Sequence, residues 1–105
     1  MSNQDQVLQE LNQRLRKLYG DRLVKLVLFG SRARGDNDPD SDYDVLVVLK
    51  GHVVPFDEEE FTISTTAEIS LSNNIVISCI FASDERLGSD RGSLFSAIRS
   101  EGYSI

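Results

Sequence analysis

The chain has 105 residues, of which 40% are hydrophobic and 27% are charged, and its net charge is −6. This length accommodates one modest hydrophobic core, so we expect a single domain over residues 1–105. A protein that binds a long polyanion needs a basic face to displace counterions from the phosphates. The acidic balance of this chain therefore makes direct binding of DNA or RNA unexpected.

The chain carries no signal for a membrane or for secretion. No apolar run approaches the roughly 20 residues that a helix needs to cross a bilayer. The first residues, MSNQDQVLQELNQ, lack the basic and then apolar pattern of a signal peptide. The only cysteine, Cys79, lies in an apolar run and is expected to be a buried thiol. We therefore expect a cytoplasmic protein that does not associate with membranes.

The first part of the chain predicts a helix followed by a buried strand. Apolar residues recur at helical spacing over residues 4–19, on a background rich in Gln and Arg, and Gly20 ends this helix. The next run, Leu23–Phe29, is too continuously apolar for a half-exposed strand and predicts a central one.

A second strand follows after a short turn and a loop. Residues 31–35 can form one helical turn, and residues 36–41, which include Pro39, predict a loop. Tyr43–Leu49 then predicts a second central strand, and Lys50 with Gly51 ends it.

The next element is predicted to be a helix with acidic residues at its start. Asp57 and Glu60, three residues apart, have the spacing of a capping box. Asn73 and Asn74 break the helix. Its buried face is expected to contain Phe56, Glu60, Ile63, Ala67 and Leu71.

The last part of the chain predicts a strand, a loop and a short helix. The strand spans residues 75–81 and the polar loop spans residues 83–92. Leu94, Ala97 and Ile98 mark the helix, which Gly102 ends. The order of elements predicts an α/β domain with a small mixed sheet flanked by helices.

Two acidic residues stand where the second strand begins. Because side chains alternate along a strand, Asp42 and Asp44 are expected on one face, a few ångströms apart. Two adjacent carboxylates repel unless a cation lies between them, and a divalent metal fits that position. Tyr43, between them, is expected to face the core on the other side.

A Gly-Ser turn directly follows the first strand. Gly30 and Ser31 would lie beside that metal and offer backbone N–H groups and a hydroxyl to a phosphate. Arg32 and Arg34 can donate charge-assisted hydrogen bonds to a triphosphate, and either one could be the residue that points toward it. Gly35 is expected to take an unusual backbone angle. Turn, metal and phosphate together indicate nucleotidyl transfer.

The alternating acids from Asp36 to Asp44 also resemble the start of an EF-hand calcium loop. That loop requires Gly at its sixth position and Glu at its twelfth, and those positions here are Ser41 and Val47. The closing ligand is absent, so we exclude a calcium loop.

The string GSRARGDNDPDSDYD, from Gly30 to Asp44, resembles the signature of the DNA polymerase β-like nucleotidyltransferase superfamily. That signature is Gly-Ser, a ten-residue spacer and then Asp-x-Asp. The short chain is similar to the minimal nucleotidyltransferase branch. The resemblance implies the polymerase β-like α+β fold, with Asp42 and Asp44 as the catalytic and Mg²⁺-binding residues. It further implies that Gly30, Ser31, Arg32 and Arg34 bind a nucleoside triphosphate, ATP.

Members of this branch are commonly antitoxins encoded beside a helical HEPN-type toxin. The resemblance therefore implies transfer of AMP to a tyrosine hydroxyl of such a toxin, in a hetero-oligomeric pair. The superfamily commonly adds a third Asp on a later strand, which also serves as the general base. The corresponding strand here, residues 75–81, has Ser78 where that acid is expected, and Glu68 or Asp84 would have to reach the site from neighbouring elements.

Two hypotheses of different classes follow. In the first, the chain is a nucleotidyltransferase that modifies its toxin. In the second, the same fold is catalytically weak or inactive and neutralises the toxin by forming a complex. The absent third acid motivates the second hypothesis.

Overall fold

The computed structural model describes residues 3–35 and 41–105, and within them five helices and four strands follow one another. Helix α1 (Asn3–Tyr19) leads through a 3₁₀ turn (Gly20–Arg22) into β1 (Leu23–Phe29), α2 (Ser31–Arg34) and β2 (Tyr43–Leu49). Then come α3 (Pro55–Asn73), β3 (Ile77–Ser83), α4 (Asp84–Ser89), α5 (Ser93–Glu101) and β4 (Tyr103–Ser104). Most of the predicted loop, residues 36–40, lies outside the described residues. No helix in the described ranges is long and apolar enough to cross a membrane.

The strands form one mixed sheet in the order β3-β2-β1-β4. Strand β1 is antiparallel to both of its neighbours, whereas β2 and β3 run parallel and are joined by the crossover helix α3. β1 and β2 occupy the two central positions because their continuous apolar sequences suit burial on both faces. The predicted mixed sheet and both central strands are thus confirmed.

Each face of the sheet carries its own hydrophobic core. Alternation along β2 sends Val45 and Val47 to the face covered by α1 and α3, and Leu46 and Val48 to the face covered by α4 and α5. On the first face α1 contributes residues that were predicted from its helical spacing, among them Leu8, Leu11 and Leu15. On the second face the helices contribute Leu87, Phe95 and Ile98.

A buried carboxylate ties the first face together. Glu58 of α3 accepts hydrogen bonds from Arg22 at 2.7 and 3.0 Å and from the Tyr19 hydroxyl at 3.1 Å. Arg22 also donates to the carbonyl oxygen of His52, just after β2, at 2.8 Å. This network joins the end of α1 to α3 and to the segment that follows β2.

The predicted buried face of α3 is wrong. All five of its residues, Phe56, Glu60, Ile63, Ala67 and Leu71, are exposed. The helix instead buries Glu58, Thr62, Thr66 and Ile69. Each buried threonine hydroxyl bonds to a carbonyl oxygen of the preceding turn, which satisfies it without help from the sheet. These hydrogen bonds within the helix therefore allow Thr62 and Thr66 to occupy the buried face of α3.

The predicted capping box is also wrong. Helix α3 begins at Pro55, and its N-cap, Val54, makes no side-chain capping hydrogen bond. Proline suits the first helical turn because its missing N–H is one that the helix leaves unpaired, and Asp57 and Glu58 lie near the positive end of the helix dipole. The end of the helix was predicted correctly: Asn74 adopts a left-handed conformation with φ of 53°.

Three further differences concern the C-terminal part. Strand β3 begins and ends two residues later than predicted, at Ile77 and Ser83. The predicted loop over residues 83–92 contains helix α4. Ser83 is its N-cap, and the Ser83 hydroxyl accepts a hydrogen bond from the Arg86 N–H at 3.0 Å. Strand β4 was not predicted, because two residues between polar neighbours give no periodic signal.

Candidate active site

The site lies where β1 ends and β2 begins. Because these strands are antiparallel, the last residue of β1, Phe29, pairs with Asp44 near the start of β2. The chain leaves β1 through Gly30 and enters α2 at Ser31, so the Gly-Ser turn lies directly beside the Asp44 side chain.

Gly30 has no room for a side chain. Its φ is 75°, a conformation that residues with a Cβ rarely adopt. A Cβ at this position would also collide with the Asp44 carboxylate: it would lie 3.3 Å from Cγ and closer still to Oδ2. The glycine therefore allows the backbone of the turn to approach the Asp44 carboxylate.

A short helix directs the turn away from the strand. The N–H groups of Ala33 and Arg34 both donate to the Gly30 carbonyl oxygen, at 3.1 and 3.2 Å, and the N–H of Gly35 donates to that of Ser31 at 3.0 Å. Gly35 ends α2 with φ of 78°, which confirms the unusual backbone angle expected there.

Asp42 and Asp44 are electrostatically coupled, as their spacing predicted. Burial raises the pKa of the Asp44 carboxyl, the negative charge of Asp42 raises this pKa further, and the positive charge of Arg34 lowers it. Asp44 is half-buried and Asp42 is exposed. A partly desolvated carboxylate beside a second one is an environment that a divalent cation relieves, so these two residues fit a metal such as Mg²⁺.

The two arginines of the turn have separate surroundings. The positive charge of Arg34 lies close enough to Asp44 to lower its pKa, and the Arg34 side chain forms an ion pair with Glu101 at 3.2 Å. Arg32 is buried: its guanidinium lies 3.9 Å from the centre of the Tyr43 ring, and its Nε donates to the Ser41 carbonyl oxygen at 2.9 Å. Tyr43 faces the core, on the side of β2 opposite to the Asp44 side chain. Arg32 therefore contacts the start of β2 on the side away from the carboxylates.

Glu101 was not identified from the sequence. It ends α5 and lies 67 residues from Arg34 along the chain, so no local spacing could indicate the pair. The contact arises because β4 pairs with β1 and brings the end of α5 to the Gly-Ser turn.

The comparisons with known proteins agree with this geometry. The family model described as nucleotidyltransferase domain matches residues 8–85. A candidate protein adenylyltransferase from Methanocaldococcus jannaschii is 35% identical over 83 residues, covering 79% of this chain and 77% of that protein. The chain belongs to the nucleotidyltransferase domain family. The family predicted from the Gly30–Asp44 motif is thereby confirmed.

Solved structures share the fold of this nucleotidyltransferase at low sequence identity. A toxin–antitoxin structure with AMP-PNP gives a TM-score of 0.59 at 19% identity, covering 88% of this chain and 69% of that one. Spectinomycin adenyltransferase from Enterococcus, solved with ATP and spectinomycin, gives a TM-score of 0.67 at 21% identity, covering 96% of this chain and 46% of that one. These likenesses confirm the predicted nucleotidyltransferase fold.

The residue beside Asp44 on the next strand is Ser78. The parallel register of β2 and β3 pairs these two residues directly, which is the position expected for a third acid in this nucleotidyltransferase. Glu68 is instead engaged with Arg14, and Asp84 lies at the far end of β3. Among residues 3–35 and 41–105, no group of three His, Cys, Asp or Glu side chains is arranged to hold a metal.

Proposed function

We propose that this nucleotidyltransferase transfers AMP from ATP to a tyrosine hydroxyl of a HEPN-type toxin and so acts as its antitoxin. The observation that carries the proposal is the Asp44 carboxylate, which lies against the backbone of Gly30 and within the influence of the negative charge of Asp42. A carboxylate pair beside closely approaching backbone N–H groups suits a nucleotide whose phosphates need both a metal and hydrogen-bond donors.

In this proposal the residues have separate roles. Asp42 and Asp44 would hold Mg²⁺, which supplies charge neutralisation at the phosphates when bound. The Gly30 and Ser31 backbone and the Ser31 hydroxyl bind the β- and γ-phosphates, and Arg34 donates to the triphosphate from the α2 side. Arg32, also expected at the nucleotide, acts by holding the start of β2 in place.

The proposed reaction is a displacement at phosphorus. The acceptor hydroxyl oxygen attacks the α-phosphorus of ATP, the bond to pyrophosphate breaks, and the hydroxyl proton is lost to solvent. The protein's contribution is to fix the triphosphate against the Gly-Ser turn and to direct the acceptor to the exposed side of the carboxylate pair.

Relatives support the nucleotide and the class of acceptor. The Methanocaldococcus jannaschii relative is named as a candidate protein adenylyltransferase, which supports a protein acceptor. Two structures with this fold were solved with ATP or its analogue AMP-PNP, and one of them is a toxin–antitoxin complex. The net charge of −6 remains unsuited to direct contact with nucleic acid.

The test is the intact mass of the toxin encoded beside this chain after incubation with the nucleotidyltransferase, ATP and Mg²⁺. We expect a gain of one or more AMP units, lost with Asp42→Asn and with omission of Mg²⁺. Asp21→Asn, an exposed acid on the 3₁₀ turn, serves as the matched control and should retain transfer. Unchanged toxin mass with the unsubstituted protein would refute the transferase proposal.

One observation favours a second candidate function. Because Ser78 stands beside Asp44, the site lacks a neighbouring third carboxylate on β3. A binding module of this fold would neutralise its toxin by occlusion alone. The double variant Asp42→Asn with Asp44→Asn would then still inhibit the toxin at equimolar ratio, whereas the transferase proposal requires that inhibition be lost.

A further inference from the structure

Helix α3 exposes a row of apolar side chains. The exposed fractions of Phe56, Ile63 and Leu71 are 68%, 52% and 84%, and Ala67 between them is exposed as well. Their spacings of seven, four and four residues place them along one line of the helix, about 22 Å long at 1.5 Å per residue. We call these four residues the α3 stripe.

The fold gives no reason for this arrangement. The side of α3 that packs on the sheet carries Thr62 and Thr66, while larger apolar side chains point into water. Exposed apolar groups in a row forfeit the free energy of burial, so contiguous patches of this kind mark interaction surfaces in soluble proteins.

A hollow adjoins the stripe and can receive a side chain. It has a volume of about 220 Å³ and lies between α3 and the edge strand β3. Ile63 of the stripe forms one wall, and Ile77 and Cys79 of β3 form another. A partner that lies along the stripe could therefore insert one apolar anchor beside it.

The charges that α3 itself carries beside the stripe are all negative. Helix α3 contains no Lys or Arg. At 100° per residue, Asp57 and Glu68 border the stripe on one side and Glu59 on the other, while Glu60 lies within it. Arg14 of α1 pairs with Glu68, whereas Asp57, Glu59 and Glu60 leave the N-terminal half of the stripe with an excess of negative charge from α3.

We propose that the α3 stripe is a docking surface for an amphipathic helix of another protein, with an apolar face bordered by Lys and Arg. Apolar residues at i, i+7, i+11 and i+15 match the anchors of a helix laid along a helix, and the acidic borders select a basic partner. A second copy of this chain fits less well, because it would set one acid-only helix against another in a protein of net charge −6. The surface shares no residue with the Asp42–Asp44 site, so the proposal stands or fails independently of the proposed reaction.

Two synthetic peptides test the proposal. Both are 20-residue helices with the same Leu stripe; one is bordered by Lys and the other by Glu. Fluorescence anisotropy with labelled peptide should show binding of the Lys-bordered peptide only, weakened by added salt, and ¹⁵N chemical-shift changes should concentrate at α3. The double variant Ile63→Ser with Leu71→Ser should weaken this binding by about tenfold or more.

Matched controls distinguish binding at the α3 stripe from nonspecific binding to other exposed apolar side chains. Leu94→Ser, which removes an exposed apolar side chain of α5, should leave the affinity unchanged. Glu60→Lys should weaken the binding of the Lys-bordered peptide by about three- to tenfold and strengthen the binding of the Glu-bordered one. Glu85→Lys on α4 should change neither affinity.

Three results would overturn the proposal. The first is equal binding of both peptides, and the second is binding that survives the double stripe variant. The third comes from light scattering after size exclusion: a dimer that becomes a monomer in the double stripe variant would show that a second copy covers the stripe. A monomer of 11.7 kDa in both proteins is the expected result.

Discussion

Gly30 meets two independent requirements at one position, a positive φ and a close approach to Asp44. At the residue scale, the site thus depends on the absence of a side chain as much as on the two carboxylates. In the same region the ionised form of Asp44 is disfavoured, first by burial and then by the negative charge of Asp42. Each of these features predicts a measurable effect of a single substitution.

Gly30→Ala should reduce stability and abolish nucleotide binding. The new Cβ adds backbone strain at φ of 75° and displaces the Asp44 carboxylate, for a combined cost of about 2–3 kcal/mol. Gly20→Ala is the matched control, because its φ is 59° and no atom lies within 4 Å of its Cβ. It should cost about 1 kcal/mol from strain alone. Urea denaturation and ATP titration measure the two effects, and equal losses in the two variants would contradict this account.

Asp44→Asn should stabilise the fold at neutral pH while removing Mg²⁺ binding. The pKa of Asp44 is raised on folding, so the folded state binds its proton more tightly and loses stability as the pH rises from the unfolded-state pKa through the raised one. A neutral Asn lacks this penalty, and we expect a gain in Tm of about 2–4 °C at pH 7. The gain should vanish at a pH below the unfolded-state pKa.

A carboxylate with the opposite shift provides the contrast for Asp44. The Gly92 N–H and then the Arg86 guanidinium hold the pKa of Asp90 below its usual range. Asp90→Asn should therefore lower Tm at pH 7, and that deficit should disappear as the pH falls through the depressed pKa. A Tm change of the same sign in the Asp44 and Asp90 variants would show that repulsion at the site is not the cause.

At the element scale, α3 is unusual because its buried face carries two threonine hydroxyl groups whose hydrogen bonds are made within the helix. Thr62 is 2% exposed, and its hydroxyl donates to the Glu58 carbonyl oxygen at 3.0 Å. Thr62 lines a hollow with Ile77, Cys79 and Phe81 of β3, so its hydroxyl has apolar neighbours there and its hydrogen bonds are made within the helix.

Thr62→Val should raise stability. The substitution removes a buried hydroxyl without leaving an unpaired partner, because the Glu58 carbonyl also accepts within the helix. We expect a gain of about 0.5–1 kcal/mol in the free energy of unfolding, measured by urea denaturation. Thr65→Val, at a half-buried position of the same helix, should change stability less, and a loss of stability with Thr62→Val would assign the hydroxyl a structural role.

At the scale of the whole molecule, the C-terminal segment closes the sheet and completes the surroundings of the site. Strand β4 pairs with β1, and the Ile105 N–H donates to the Leu26 carbonyl oxygen at 2.9 Å. Gly102 makes the turn between α5 and β4, so it sets the position of Glu101 beside Arg34.

Gly102→Ala should therefore destabilise the fold and disturb the site from a distance. Its Cβ would lie 2.7 Å from the Ile98 carbonyl oxygen and from Val27 Cγ1, and 3.1 Å from the Leu28 carbonyl oxygen. Backbone atoms cannot yield easily, and we expect a loss of about 2–3 kcal/mol, measured by thermal unfolding. Gly88→Ala, in open space within α4, should instead stabilise by up to about 1 kcal/mol. A Tm for Gly102→Ala equal to that of the unsubstituted protein would show that the turn relaxes freely.

Sequence and structure agree best where the signal is local and repeated. The bounds of β1 and β2 were predicted to the residue, since each is an apolar run ended by glycine or by charged residues. Ser78 also lies beside Asp44, at the position where the family resemblance led us to expect a third acid. The expectations of a single domain over residues 1–105 and of a cytoplasmic location stay predictions.

The sequence by itself determined the family, the Gly-Ser turn, the carboxylate pair and the two central strands, because the signal for each lies in a short run of consecutive residues. Only the tertiary structure decided which face of α3 is buried, that Arg32 is buried against Tyr43 and that Glu101 meets Arg34. Those outcomes depend on how separate elements pack. They also depend on local hydrogen bonds, which allow threonine to be buried where a hydrophobic pattern predicts exposure. Packing between distant segments has no periodic trace in the sequence, so it becomes visible only once the chain is folded.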